Sequence, residues 1–145
     1  MRHATLIMSL LLASLAASFT GCATTNAART SKANYGDGVK VSGVITYRER
    51  IALPGDAVVT ARLVDVSTPD KPVVLSEQVI SKPGQVPVPF VLTAAADRID
   101  QNHSYAIEAS ISVGRQVRWR NTQQYGVITR GNPFNGLMVW VQQAD

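Results

Sequence analysis

Residues 38–145 read as an all-β domain of two packed sheets. Three observations predict this. Apolar residues recur at every second position in several segments, which is the period of a strand with one buried face. Gly, Pro and Asp interrupt those segments at short intervals. No stretch sustains the 3.6-residue apolar period of a long helix. Half-buried strands need a second sheet to cover them, so about seven short strands make a small β-sandwich.

The segments follow in order. Val39, Val41, Gly43, Ile45 and Tyr47 share one face, with Lys40, Ser42, Thr46 and Arg48 on the other. Val59, Ala61 and Leu63 oppose Thr60 and Arg62. Val73 to Ile80 is a strand-like run with poor patterning. Val86, Val88, Phe90 and Leu92 form the inward face of a fourth segment, and 94–97 (AAAD) suits a helical turn. The longest stripe is Tyr105, Ile107, Ala109, Ile111 and Val113. Gly114-Arg115 then suits a two-residue hairpin turn, after which Val117 and Trp119 are expected inward and Arg118 and Arg120 outward. Leu137 to Val141 closes the chain.

The fourth segment carries positional information. Pro87 and Pro89 lack an N–H, and residues two apart point those groups to the same side. One side of this strand therefore misses two donors, which confines it to a sheet edge. Such an edge reads as protection against pairing with other chains, with a docking edge as the alternative.

The N-terminus reads as an export signal. Met1, Arg2 and His3 precede an apolar run from Ala4 to Phe19 that contains small residues such as Thr5, Ser9 and Ser14. A membrane-spanning helix needs roughly 20 apolar residues, and this run fits a signal-peptide core better. It ends in Phe19-Thr20-Gly21-Cys22, which resembles the lipobox of bacterial lipoproteins although Phe19 replaces the usual Leu. Cys22 is the single cysteine, so no intramolecular disulfide forms, and lipidation accounts for it. Residues 1–21 are then the signal peptide. Two or more acyl chains on Cys22 would hold the protein firmly, at about 0.8 kcal/mol per buried CH₂. Residues 22–37 lack any apolar period and read as a lipidated flexible tether of about 15 residues spanning roughly 20 Å. Ala23 after the cysteine implies outer-membrane sorting in a Gram-negative host, with the domain facing the periplasm.

The net charge is +4, or +3 once Arg2 leaves with the leader. That suits an anionic lipid surface or an acidic partner and is too weak to imply nucleic acid.

Catalytic material is sparse. His103 is the histidine of the mature chain and reads as an exposed turn residue. Ser–His–Asp chemistry would need His103, Asp100 and a serine to converge, and the adjacent Ser104 points to the opposite face. With one histidine and a lipidated cysteine, a soft-metal ligand set is missing. Asp97 and Asp100 read as turn residues, and Asp65 as a partner for backbone N–H groups or an arginine. No Gly-rich phosphate loop occurs. Neither an enzyme nor a cofactor is expected. The arginines are the notable set: Arg48, Arg50, Arg62, Arg118, Arg120 and Arg130 are candidate contacts for an anionic partner, since guanidinium pairs carboxylates and phosphates bidentately. The competing reading is a solvated face with Glu49, Glu77 and Glu108 as partners.

Residues 41–54 (VSGVITYRERIALP), running into Ala57-Val58-Val59 and 63–67 (LVDVS), resemble the YbaY/YscW lipoprotein family, as do 84–90 (GQVPVPF) and the Tyr105–Val113 segment. The resemblance covers nearly all of 39–142 and is nearer the YbaY branch. It implies a β-sandwich and an outer-membrane lipoprotein. For the YscW branch it implies a pilotin, a chaperone that carries secretin subunits to the outer membrane. It supplies no catalytic residues. The expectation is thus a non-enzymatic binding or envelope-assembly role, with the membrane as partner through the lipid anchor and an envelope protein or anionic lipid as further partner. The alternatives are a pilotin-like chaperone for a secretin and a sandwich that binds lipid or hydrophobic peptide between its sheets.

Overall fold

The computed structural model describes residues 36–145. The expected signal peptide, the lipidation of Cys22 and nearly all of the expected tether lie outside the described residues. Nine strands form from the described residues: β1 (Val39–Thr46), β2 (Ala57–Asp65), β3 (Val73–Ser81), β4 (Val88–Ala94), β5 (Tyr105–Val113), β6 (Gln116–Arg120), β7 (Tyr125–Val127), β8 (Leu137–Trp140) and β9 (Gln142–Gln143). The fold is the expected two-sheet, all-β one. The two extra strands, β7 and β9, have three and two residues, too short to show a period. The helical turn is a 3₁₀ turn at Ala96–Arg98, while Ala94 ends β4.

One sheet has the order β4-β1-β8 and the other β3-β2-β5-β6-β9, with β7 pairing β5 beyond the end of β6. β1 pairs β4 antiparallel and β8 parallel. Alternation holds where it was clearest. Val39, Val41 and Ile45 are buried from β1, Tyr47 just after it, and Val88, Phe90 and Leu92 from β4. Val59, Ala61, Leu63, Ile107 and Ile111 meet them from the other sheet. These side chains fill the space between the sheets, so a ligand lying there would have to displace them. Removing each from water contributes about 1.5–3 kcal/mol for a Val, Leu, Ile or Phe.

β4 is an edge strand, as its prolines require. The Val91 N–H donates to Gln78 Oε1 of β3 at 2.7 Å, away from β1, and the Pro89 nitrogen shares that open side. The poor pattern of β3 has the same kind of cause. It is the edge of the larger sheet, with Val73, Val74 and Val79 exposed.

Val117 departs from expectation. The hairpin at Gly114-Arg115 forms, with Gly114 at φ +63° and Val113 opposite Gln116. The register then slips: Val117 opposes Ser112, yet Trp119 opposes Ile111, leaving Arg118 as an extra residue. This bulge resets the alternation, so Val117 is 48% exposed while Trp119 is buried. Trp119 stacks on Tyr47 across the two sheets, with ring centroids 5.3 Å apart and planes at 14°.

Two contacts close the sandwich along one side. Gly43 sits against β8 so tightly that an added Cβ would lie 2.4 Å from the Leu137 carbonyl oxygen and 2.7 Å from Leu137 Cβ. Beyond β8, the Val141 N–H donates to the Thr46 carbonyl and the Ala144 N–H to the Arg118 carbonyl, both at 2.9 Å. The C-terminal segment therefore belongs to both sheets.

Gly43→Ala is expected to destabilise the domain by at least about 1–3 kcal/mol in urea denaturation, because backbone rather than a flexible side chain must yield. Gly55, with open space around its Cα, is the control, and Gly55→Ala should change stability by less than about 1 kcal/mol. Equal effects at the two positions would contradict the tight β1–β8 approach.

Candidate partner-binding face

The outer face of the larger sheet is polar. Thr60 and Arg62 of β2 lie beside Ser110 and Glu108 of β5, and Arg120 of β6 lies opposite Ser110. The face sinks into a depression of about 660 Å³, lined among others by Thr60, Arg62, Glu108, Ser110, Arg120 and Thr122. Its floor depends on Asn121. Where β6 leaves β5 and β7 has yet to join, the Asn121 side chain takes over the ladder. Its Oδ1 accepts the Ala109 N–H at 2.7 Å, and its Nδ2 donates to the carbonyls of Ile107 at 3.1 Å and Gln123 at 2.9 Å. Sequence reasoning missed Asn121, which has no periodic signature and marks a strand end only once the pairing is known.

The six arginines are distributed over the surface. Arg62 forms an ion pair with Glu77 of β3 and has Glu108 as its register partner, so a row Glu77–Arg62–Glu108 crosses three strands. An exposed pair of this kind contributes at most about 1 kcal/mol. Arg120 shares the depression with Arg62 and has no ion-pair partner among the described residues. Arg118, displaced by the bulge, borders a neighbouring hollow with Gln116, Gln143 and Asp145. Arg48 lies over the Trp140 ring, 5.0 Å from its centroid, in a separate hollow with Glu49 and Gln142. Arg50 is exposed in the bend after β1. Arg130, at φ +59°, is held in its own loop by bonds to Ser104 Oγ at 3.1 Å and the Asn102 carbonyl at 3.5 Å. The structure thus brings Arg62 and Arg120 together and places Arg48 and Arg130 elsewhere.

At one end of the larger sheet, Asp65 and His103 form a second ion pair, with Nδ1 to Oδ2 at 2.6 Å. Of the two readings of Asp65, the backbone one holds, its Oδ1 accepting the Ser67 N–H at 2.9 Å, while its charge partner is a histidine and not an arginine. Burial pushes the Asp65 carboxyl up, but the Ser67 hydroxyl and amide and the His103 ring outweigh it, and its pKa is lowered. The bond to Asp65 raises the His103 pKa against partial desolvation, with the Asp65 and Asp100 charges adding. The nearby hydroxyls are already engaged, Ser67 Oγ by the Ser104 N–H at 2.8 Å and Ser104 Oγ by Arg130. Together with the Val66 N–H to the Ser104 carbonyl at 2.9 Å, these bonds staple two loops. Among the described residues no three His, Asp or Glu side chains converge as a metal site would require.

Gln85 is another residue missed. Its amide pairs with the Leu53 backbone, accepting from the N–H at 2.8 Å and donating to the carbonyl at 3.1 Å. The Tyr47 hydroxyl donates to the Ile51 carbonyl at 2.9 Å. The segments 41–54 and 84–90 that carry the family resemblance are thus physically joined.

The chain belongs to the family of type III secretion system lipoprotein chaperones (YscW), whose model matches residues 37–139. It is similar to the uncharacterized lipoprotein YbaY of Escherichia coli (strain K12), 34% identical over 106 residues. That match takes in 71% of this chain and 56% of YbaY, so the chain spans just over half the length of this relative. Among solved structures, it is similar to an alternative pilotin from the type II secretion system of Vibrio cholerae, at TM-score 0.67 and 34% identity. The superposition covers 74% of this chain and 99% of the pilotin chain.

The loop staple gives a pH prediction. A raised histidine pKa means stabilisation that is complete below the ordinary value of 6.5 and lost as pH rises through the folded-state value. The lowered Asp65 pKa adds stability present above the ordinary 3.8 and lost as pH falls through its folded value. The pair is therefore most effective between the two. His103→Gln should lower Tm more at about pH 5.5 than at about pH 9. A Tm difference independent of pH would show that the pair carries no charge-dependent stabilisation.

Proposed function

We propose that this chain is a lipid-anchored, pilotin-like chaperone, which holds an envelope protein such as a secretin subunit during delivery to the outer membrane. One observation carries the reading. The sandwich aligns with 99% of the Vibrio cholerae pilotin chain at 34% identity, so a pilotin needs little beyond what this domain has. Cys22 is the anchoring residue of the proposal, supported by the lipobox-like residues before it and by the lipoprotein character of both the matched family and YbaY. The chemistry required of a chaperone is reversible binding, and the reading invokes no catalytic step.

The polar depression is the cargo face of this proposal. Hydroxyls of Thr60, Ser110 and Thr122 and amides of Gln123 and Gln124 surround it, a donor and acceptor set suited to an extended segment of a partner. Arg120 supplies the anionic contact, because Arg62 is already committed to Glu77. Arg118 borders the neighbouring hollow. Arg48, Arg50 and Arg130 take no part in this face.

Deleting the gene should remove most secretin multimers from the outer membrane of the host. The wild-type gene should restore them, and Cys22→Ser, which should also lose labelled palmitate, should not. Undiminished multimers in the deletion strain would overturn the chaperone reading, and undiminished label in the variant would overturn the anchor. Arg120→Glu should leave stability within about 1 kcal/mol of wild type. It should weaken capture of the secretin about tenfold, with a reduced salt dependence. Capture equal to wild type would remove Arg120 from the interface.

A further inference from the structure

The other outer face of the sandwich has a different chemistry. On the three-stranded sheet the outward positions are Lys40, Ser42, Val44 and Thr46 of β1, Pro89, Val91 and Thr93 of β4, and Met138 and Trp140 of β8. Pro89, Val44 and Met138 lie side by side in one cross-strand row, because Val44 is the register partner of both others. Met138 is 54% exposed and Val91 47%. Phe134, also exposed, lies in the loop whose carbonyl accepts the Ser42 N–H at 3.0 Å. The face measures roughly 20 Å along β1 and 10 Å across the strands.

Lys40 is the charged outward residue of these three strands, and past the end of β1 Arg48 and Glu49 share a hollow with Trp140. The opposite face, by contrast, carries Glu77 and Glu108. At the Arg48 end, guanidinium and indole are already paired, which puts an amphipathic ring beside a cation at the border of an apolar row. Apolar centre, basic ends and a tryptophan at the margin form the composition of a surface that lies in the interface of an anionic bilayer.

We propose that this sheet face docks flat on the anionic membrane to which the chain is anchored. The covalent path supports the same occupant. Only 16 residues lie between Cys22 and β1, the central strand of this face. With Cys22 lipidated as proposed, a linker of that length would keep the domain within roughly 20 Å of the bilayer, at high effective concentration against lipid, where weak contacts suffice. Docking turns the polar depression, on the far side of the sandwich, toward the periplasm. The inference goes beyond the chaperone reading and rests on the chain being held at a membrane.

The test supplies that anchorage independently of Cys22. The chain begun at Ala23, which keeps the whole compact unit 31–145, is attached through an N-terminal hexahistidine to vesicles of phosphatidylglycerol, brominated phosphatidylcholine and a nickel-chelating lipid. The sequence has two tryptophans, and Trp119 is buried, so quenching reports Trp140. Contact at the depth of the headgroup–acyl boundary should reduce emission about 1.5-fold or more. Val91→Glu/Met138→Glu, at exposed positions that should leave the thermal melt unchanged, should abolish the quenching. Emission in the anchored wild type that is unquenched, or quenched equally in the double variant, overturns the proposal. It would leave the face to a second copy, seen by sedimentation, or to a protein partner.

Discussion

Val141 sits where the two sheets meet, and the placement of nearly everything else follows from it. The strand before it, β8, runs parallel to β1, while the residues after it pair with β6 in the opposite sheet. A single extended segment of under ten residues therefore closes one side of the sandwich. This is possible only because Gly43 lets β8 approach within a distance that any side chain would forbid. The same crossing sends Trp140 to one outer surface and brings Gln142 and Gln143 to the edge of the other sheet.

The two outer faces are distinguished by what each strand must bury. A strand with one face in the core is free to carry any chemistry on the other, and here that freedom is used in opposite ways. The larger sheet spends its outward positions on hydroxyls and paired charges, with Arg62 held between Glu77 and Glu108. The smaller sheet sets Val44, Pro89, Val91, Met138 and Trp140 among the hydroxyls of Ser42, Thr46 and Thr93, with Lys40 at one end. Such a division gives the domain two outer surfaces of different chemistry. Asn121 keeps the polar surface continuous by replacing two ladder bonds where β5 changes its neighbour from β6 to β7.

The residues that carry the family resemblance owe that role to a set of bonds rather than to a reactive group. Gln85 joins the backbone at Leu53, Tyr47 caps the Ile51 carbonyl, and the ring of Tyr47 stacks on Trp119. A loop after β1, a loop before β4 and the middle of β6 are thereby fixed relative to one another. In this chain those segments therefore hold the sandwich in register.

Much of this protein was legible in its sequence. Period-two alternation gave β1, β2, β4 and β5 with their inward faces, because a buried face imposes itself on every second residue regardless of what pairs alongside. The two prolines located the edge strand, since a missing donor is a property of the residue itself. Tertiary structure alone decided the rest. Val117 faces outward because a bulge at Arg118 reset the alternation, and bulges depend on the partner strand. Asp65 found His103, 38 residues away, through pairing between β2 and β5 that no local pattern encodes. The arginines looked like one set in the sequence and separated in space, because outward-facing charges are constrained only by which strand lies next to which. Local periodicity fixes what must be buried, and long-range pairing fixes what the exposed residues meet.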